Sequence, residues 1–340
     1  MQGVQIPGAP IITKNVGSER SAVPSFGDHP VGTHPAFPRP HRHRLTLTGL
    51  PVWRMPRHVD TDAANRRAWN SGRVAQSYVG RNHLFPAELA ILGELWHELA
   101  GQRVLDLGVG GGRTTAFLLA LTDDYVGVDY SDAMVAIARA ANPTADIRVG
   151  DARDLSDLPA ASFAFALFSF NGIDYLPYED RGRAIREVHR LLVPGGYFAF
   201  STHNLNTLGG RETGVYRRLP IGMSLNPIRS GVRLTRWVAS SRTRYANFRR
   251  LRPLEHSGDG YAVLNDGAED YALLTTYVDP HGQCVELERC GFEEPARLYG
   301  HDGRAASVDS DITWLHYLVR KPDTDRNGLV LKSLTPADAE

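Results

Sequence analysis

The stretch Val104 to Arg113, VLDLGVGGGR, decides the fold. Val104, Leu105 and Leu107 are the apolar run of a parallel strand covered on both faces. Gly108, Gly110 and Gly112 then let the backbone turn sharply and approach a ligand without Cβ collisions. A helix is expected from about Thr114, its free N–H groups aimed back at the turn, which suits a nucleotide-like ligand. The spacing separates two kinds of ligand. A dinucleotide fingerprint, G-x-G-x-x-G, needs glycine at 113 if it starts at Gly108, and glycine or alanine at 115 if it starts at Gly110. The chain has Arg113 and Thr115. What stands there instead is D-x-G-x-G-x-G, beginning at Asp106.

Further elements follow in order. Tyr125 to Asp129, YVGVD, reads as a second strand ending in a carboxylate able to accept two hydrogen bonds from a ribose diol. Ser131 or Asp132 caps a helix through about Ala141. Ile147 to Val149 is a third short strand and Phe163 to Ser169 a fourth. Tyr197 to Thr202 is a fifth, reached through the turn LLVPGGYF at Leu191 to Phe198. This succession resembles the class I S-adenosylmethionine (SAM) dependent methyltransferases, well over Trp69 to Asn204 and loosely over Thr275 to Arg320. The resemblance implies an α/β fold: a doubly wound, seven-stranded Rossmann-like sheet with a terminal antiparallel strand and an inserted lid or substrate subdomain. It also implies SAM as cofactor and S-adenosylhomocysteine as product. Residue by residue it assigns cofactor contacts to Asp106, Gly108, Gly110, Gly112, Asp129 and Tyr130, and to Ser169, Phe170 and Asn171 after strand four. Asp151 would take the adenine amino group, and the backbone N–H of Ala152 a ring nitrogen. Tyr78 and Arg81 would cover the methionine end, with core packing as the alternative for Tyr78.

Composition sets the broad class. The 340 residues exceed the needs of one compact domain, and 42% apolar content is ample for a core. No run of some 18 apolar residues predicts a membrane span, and no apolar h-region marks a signal peptide. Cys284 and Cys290, the two cysteines, lack C-x-x-C spacing and read as packing residues in a reducing compartment, so a cytoplasmic enzyme with no metal is expected.

Five segments are expected. Residues 1–62, rich in Pro, Gly and His, read as a flexible tail in which His41 and His43 are solvated rather than metal-binding. Residues 63–204 form the cofactor-binding core. Its N-terminal part carries Trp69, Val74 and Tyr78, then a helix started by Pro86 with a stripe of Leu89, Leu92, Leu95, Trp96 and Leu99. Residues 205–275 are an insert on the acceptor side, 276–322 complete the core, and 323–340 are a tail. In the insert, Arg211 to Arg252 holds eleven arginines against the single acid Glu212, interleaved with Tyr216, Trp237, Tyr245 and Phe248. Internal pairing with the acidic stretch Glu255 to Asp325, an anionic small substrate and a nucleic acid all remain open readings. After it, Tyr261, Val263, Tyr271 and Leu273 alternate about Asn265-Asp266-Gly267 as a lid hairpin. Asp279 to Cys290 reads as the last core helix, and Ala296 to Tyr299 with Ile312 to Val319 as a closing strand pair.

Methyl transfer from a sulfonium asks mainly for positioning, exclusion of water and, for a hydroxyl or ammonium acceptor, a proton acceptor. The C-terminal strand ends supply the acceptor edge, so His203 is the first candidate base, with His281 and Tyr277 next. Ser169-Phe170-Asn171-Gly172 is not the N/D-P-P-Y/F loop of amide and adenine methylases, and no cysteine near strands four and five offers a covalent route to pyrimidine C5. The expectation is O- or N-methylation of a small-molecule acceptor in specialised metabolism. An RNA methyltransferase and a non-catalytic SAM-binding protein are the alternatives.

Overall fold

The structure is a computed structural model, and it describes residues 58–208 and 241–323. Among the described residues, eleven strands join one sheet: β1 (Val104–Leu107), β2 (Tyr125–Asp129), β3 (Asp146–Val149), β4 (Phe163–Phe168), β5 (Leu192–Asn204), β6 (His256–Gly258), β7 (Tyr261–Leu264), β8 (Thr275–Val278), β9 (Arg297–Gly300), β10 (Ala305–Ala306) and β11 (Trp314–Arg320). Their order is β10-β9-β11-β5-β4-β1-β2-β3. Strands β3, β2, β1, β4 and β5 run parallel, while β11 is antiparallel to both β5 and β9. The seven strands of the expected doubly wound sheet are therefore present with the expected reversed strand.

Helices α1 (His58–Trp69), α2 (Gly72–Gln76), α3 (Pro86–Leu99), α4 (Thr115–Leu119), α5 (Asp132–Ala141) and α6 (Tyr178–Leu191) precede a helical stretch at 241–251 and a last helix Pro280–Arg289. Both sheet faces are covered. Leu105, Val126, Phe163, Phe198 and Tyr317 pack with Ile185 and Val188 of α6, whereas Val104, Tyr125, Phe165 and Leu318 pack with Ile91, Leu95 and Leu99 of α3. Removing one such side chain, as in Leu95→Ala, costs about 2–5 kcal/mol. Leu89 does not belong to the stripe: it is 46% exposed, and Ile91 takes its place on the buried face.

Several boundaries differ from expectation. Helix α1 begins at His58, so a tail ending at 62 cuts into it; Thr61 is buried and Asp62 pairs with Arg66 and Arg153. The LLVPGGYF segment is not a separate turn. Strand β5 runs through it, with Gly195 at φ +78° and a register shift opposite Phe163 and Phe165 that marks a bulge. A hairpin stands here, but Tyr271 and Leu273 are not in its strands. Strand β7 pairs with β8, and the connection carries Glu269, Asp270 and Tyr271 at φ between +48° and +61°. The residues after Gly267 follow this left-handed path instead of extending, and Asp270 is held there by Arg73 and Arg244. His41, His43, Arg211 to Arg236 and the tail 324–340 lie outside the described residues.

Strand β5 overruns β4, and its end, His203 and Asn204, pairs in parallel with Tyr277 and Val278 of β8. The meander β6-β7-β8 thereby grows from the sheet's C-terminal edge. Helix α1 closes against it. Fully buried Asn65 donates from Nδ2 to the Leu274 carbonyl at 2.9 Å and accepts from the Leu274 N–H on Oδ1 at 2.9 Å, acting as a strand neighbour would.

Candidate cofactor cleft and acceptor edge

At the C-terminal ends of β1, β2 and β4 lies a cleft of about 660 Å³ lined by the glycine loop, the end of β2 and the turn after β4, and roofed by Trp69 and Tyr78 from the N-terminal helices. Gly108, Gly110 and Gly112 all take positive φ, at +60°, +55° and +86°. Their surroundings differ. A Cβ on Gly108 would lie 2.7 Å from Phe168 Cε2, whereas one on Gly110 meets nothing nearer than the Gly108 carbonyl at 3.8 Å, because Gly110 lines the open cleft. Gly112 faces away, toward Asn142 and Ala138 of the α5 end.

Asp129 ends β2 at the cleft wall. Its Oδ2 accepts from the Gly110 N–H at 2.9 Å and its Oδ1 from the Ser131 N–H at 2.8 Å, and each oxygen keeps a further lone pair. Burial pushes the Asp129 carboxyl up to about 6, although those two N–H bonds pull the other way. Tyr130 also lines the cleft, with the Arg66 guanidinium 4.6 Å over its ring. Ala152, Ser169 and Phe170 line it as well.

Other expected cofactor residues sit behind the wall. Asp106 is wholly buried under the glycine loop, where it accepts from Thr114 Oγ1 at 2.7 Å and Tyr125 OH at 3.0 Å, and burial lifts its carboxyl to about 7. It ties the loop down rather than touching the cleft. Asp151 is turned into an ion network: Arg66 pairs with it, Arg153 donates to it at 2.7 and 2.9 Å, and Asp62 and Asp180 complete the set. Burial raises the Asp151 carboxyl, but the arginine bonds prevail and hold it down at about 2. Arg81 stacks on the Tyr78 ring at 3.9 Å and donates to the Ser77 carbonyl, while the Tyr78 hydroxyl faces Glu269 at 3.4 Å.

Arg113, the residue that breaks the dinucleotide spacing, has a structural occupation. It forms a buried two-pronged pair with Glu88 of α3 at 2.6 and 2.8 Å, donates to the His83 carbonyl and Ser169 Oγ, and lies 4.6 Å over the Phe85 ring.

Beyond the cleft, the turn Gly172–Tyr175 serves two sides: Gly172 and Tyr175 line the cleft while Asp174 points to the end of β5. Phe170 and Asn171 enter this turn at φ +53° and +55°, a left-handed backbone that costs non-glycine residues of order 1–3 kcal/mol each. The Asn171 N–H donates to Ser201 Oγ at 2.8 Å, which anchors the turn. Asp174 accepts from both the backbone N–H and Nδ1 of His203 at 2.7 Å, from Arg181 Nη1 at 2.6 Å and from Thr202 Oγ1 at 2.5 Å. The other ring nitrogen, Nε2, lies 3.5 Å from Asn171 Nδ2. Trp314 meets the His203 ring edge-on at 5.6 Å, and Tyr277 is 4.9 Å away with its hydroxyl donating to Asp266. Phe170 bridges the regions, stacked on Phe85 at 5.5 Å and edge-on to Trp314 at 5.6 Å. The structure thus brings His203, Tyr277 and Asn171 together. His281 is apart, 63% exposed at the start of the last helix beside Asp309.

Sequence reasoning missed Glu88, Trp69, Asp174 and Trp314. Glu88 had a signal, since it stands three residues after the N-cap Phe85 and returns a bond to the Phe85 N–H. Asp174 had none.

The description "Methyltransferase domain" matches residues 104–196, the span from β1 into β5. A Mycolicibacterium smegmatis protein described as a "probable S-adenosylmethionine-dependent methyltransferase" is 35% identical over 142 residues, 42% of this chain and 54% of that protein. A ubiquinone biosynthesis O-methyltransferase of Xanthomonas oryzae is 33% identical over 111 residues, 32% of this chain and 45% of that one. The chain thus spans about half the length of these curated relatives. Among solved structures, a Burkholderia thailandensis 1,6-didemethyltoxoflavin-N1-methyltransferase with S-adenosylhomocysteine bound superposes with a TM-score of 0.47 at 14% identity, over 79% of this chain and 92% of that one. Through the core spanning β1 to β5, the chain carries a methyltransferase domain and is similar to S-adenosylmethionine-dependent methyltransferases.

Proposed function

We propose that this protein moves a methyl group from SAM to an oxygen or nitrogen atom of a small-molecule acceptor, with His203 as the proton acceptor. The observation that carries the reading is the adjacency of the two sites: one short turn, Gly172–Tyr175, walls the cleft on one side and fixes His203 on the other. The cleft fits the cofactor's chemistry. Asp129 offers two lone pairs to a ribose diol, Gly110 leaves room for a ligand where a side chain would stand, and Trp69, Tyr78 and Phe170 supply apolar cover. Ala152 lines the cleft, while the neighbouring Asp151 is engaged by Arg66 and Arg153. When bound, SAM supplies a methyl group already activated on a sulfonium.

The chain's own work is then to orient, dry and deprotonate. Trp69, Tyr78, Phe85, Phe170 and Trp314 form a nearly continuous aromatic surface from the roof of the cleft to His203, which excludes water and suits a flat acceptor. His203 Nε2 takes the proton of an acceptor hydroxyl or ammonium. Arg244, in the described part of the arginine-rich insert, is paired with Asp270, which supports internal pairing there.

Calorimetry tests the cofactor half: SAM and S-adenosylhomocysteine should bind and NAD should not, and the reverse would overturn it. Transfer from methyl-labelled SAM to a pool of phenols, hydroxy acids and amines tests the acceptor half. With an acceptor in hand, His203→Gln should lower turnover by roughly 10²–10⁴ while leaving S-adenosylhomocysteine affinity intact.

A further inference from the structure

We infer that Asp174 is a positioning residue: it fixes the His203 ring with the proton on Nδ1, so that Nε2 presents its lone pair toward the acceptor edge. The inference rests on the reading of His203 as proton acceptor and deepens it, since a histidine with its proton on the wrong nitrogen would offer a donor where an acceptor is needed.

Asp174 has no exposed surface, and every one of its hydrogen bonds serves to place His203 or to keep the carboxylate charged. Its Oδ2 grips His203 twice, at the backbone N–H and at Nδ1, both at 2.7 Å, so the ring is held in azimuth as well as in distance. Its Oδ1 accepts from Arg181 and from Thr202 Oγ1, the residue immediately before His203. Arg181, on α6, is also wholly buried, and it is itself held by Gln283 of the last helix at 2.7 Å. The Arg181 guanidinium is a permanent donor on this carboxylate, and a carboxylate paired with it only accepts. Nδ1 must therefore be the donor. Nε2 is left with Asn171 Nδ2 at 3.5 Å, too long to hold a lone pair. The groups facing the ring are Asp174 with Arg181 behind it, Tyr277 from β8, and uncharged Trp314 from β11.

The arrangement has a specific chemical meaning. As the acceptor's proton moves to Nε2, the ring becomes an imidazolium whose second N–H already points at a carboxylate, so no group has to turn during the step. The pair Asp174 and Arg181 is neutral before the transfer, and the positive charge that appears on His203 is met at once.

Long-range nitrogen–proton correlation spectra of the full chain labelled with ¹⁵N-histidine test this without any acceptor. In the wild type, His203 should be the Nδ1–H tautomer at neutral pH. In Asp174→Leu the preference for that tautomer should be lost, because Nδ1 no longer meets an acceptor. Asp174→Leu with Arg181→Met removes both buried charges together and guards against misfolding of the single variant. In it the ring should revert to the Nε2–H tautomer. A wild-type Nε2–H tautomer, an Nδ1–H tautomer kept in a folded Asp174→Leu protein, or one surviving in the double variant would each overturn the inference. Its failure is separable from that of the base reading: full turnover in His203→Gln removes His203 from the chemistry, whereas lost turnover there with an unchanged tautomer in the Asp174 variants removes only Asp174.

Discussion

The two walls of the cleft are built on different principles. The wall at β1 and β2 is made of backbone: glycines with positive φ, N–H groups, and one carboxylate that those N–H groups hold. The wall beyond β4 and β5 is made of side chains, set by two buried ion pairs, Glu88 with Arg113 and Asp174 with Arg181. A backbone wall is cheap to fold and sensitive to any added atom on its cleft side. A side-chain wall is costly to desolvate and sensitive to the loss of either partner.

The sharpest way to break this contrast is through the charges. Arg181→Met should destabilise the protein by about 3–5 kcal/mol in chemical denaturation, because it strands Asp174 without a counter-charge. The double variant Asp174→Leu, Arg181→Met should recover much of that loss. A double variant less stable than the single one would mean that the pair is worth more than its desolvation. On the backbone wall, Gly110→Val should abolish S-adenosylhomocysteine binding while costing only about 1–2 kcal/mol of stability for its left-handed φ of +55°. Equal losses of binding and stability would erase the distinction between the walls.

Asp129→Ala sharpens it further, with an expected loss of about 1.5–3 kcal/mol in cofactor affinity, the scale of hydrogen bonds to a charged group. The pH dependence has a definite sign. The Asp129 carboxyl sits near 6 in the fold, above its ordinary value, so the folded protein takes up this proton first. Stability from this group is present at low pH and is lost as pH rises through about 6. Cofactor affinity runs the other way, falling below pH 6 as the clamp becomes neutral, and Asp129→Asn should flatten that limb. The smallest effects belong to surface positions: Leu89→Glu and His281→Ala should each change stability by no more than about 0.5 kcal/mol and leave affinity unaltered.

The legibility of the two walls in the sequence follows the same division. Residues of the backbone wall are close neighbours in the chain, and glycine and aspartate at strand ends have few other uses, so Gly108, Gly110 and Asp129 were readable. Asp106 and Gly112 belong to the same motif but serve the loop's underside, and nothing in spacing separates a residue beneath a loop from one on its rim. The ion pairing of Asp151 was not readable, because its partners, Arg66 and Arg153, include one from a helix outside the motif. The side-chain wall joins α3 to the glycine loop and a β4–α6 turn to β5, α6 and the last helix. His203 stood out by titration range and strand-end position. Its partner Asp174 is one acid in an ordinary polar turn, and only the folded backbone brings them together.

The pairing of Asn65 with Leu274 has a consequence for the order of assembly. The two residues are 209 positions apart, and the side-chain amide of Asn65 has both its bonds to one backbone unit completed only there. On a ribosome, the sheet from β1 to β5 emerges long before that unit, and until then helix α1 has only its bonds to that half, among them those from Asn65 to the Tyr175 carbonyl and from Arg66 to Asp151. A nascent chain that stops short of Leu274 therefore holds its nucleotide wall ready but its roof fastened on one side alone, and the second fastening comes with β8.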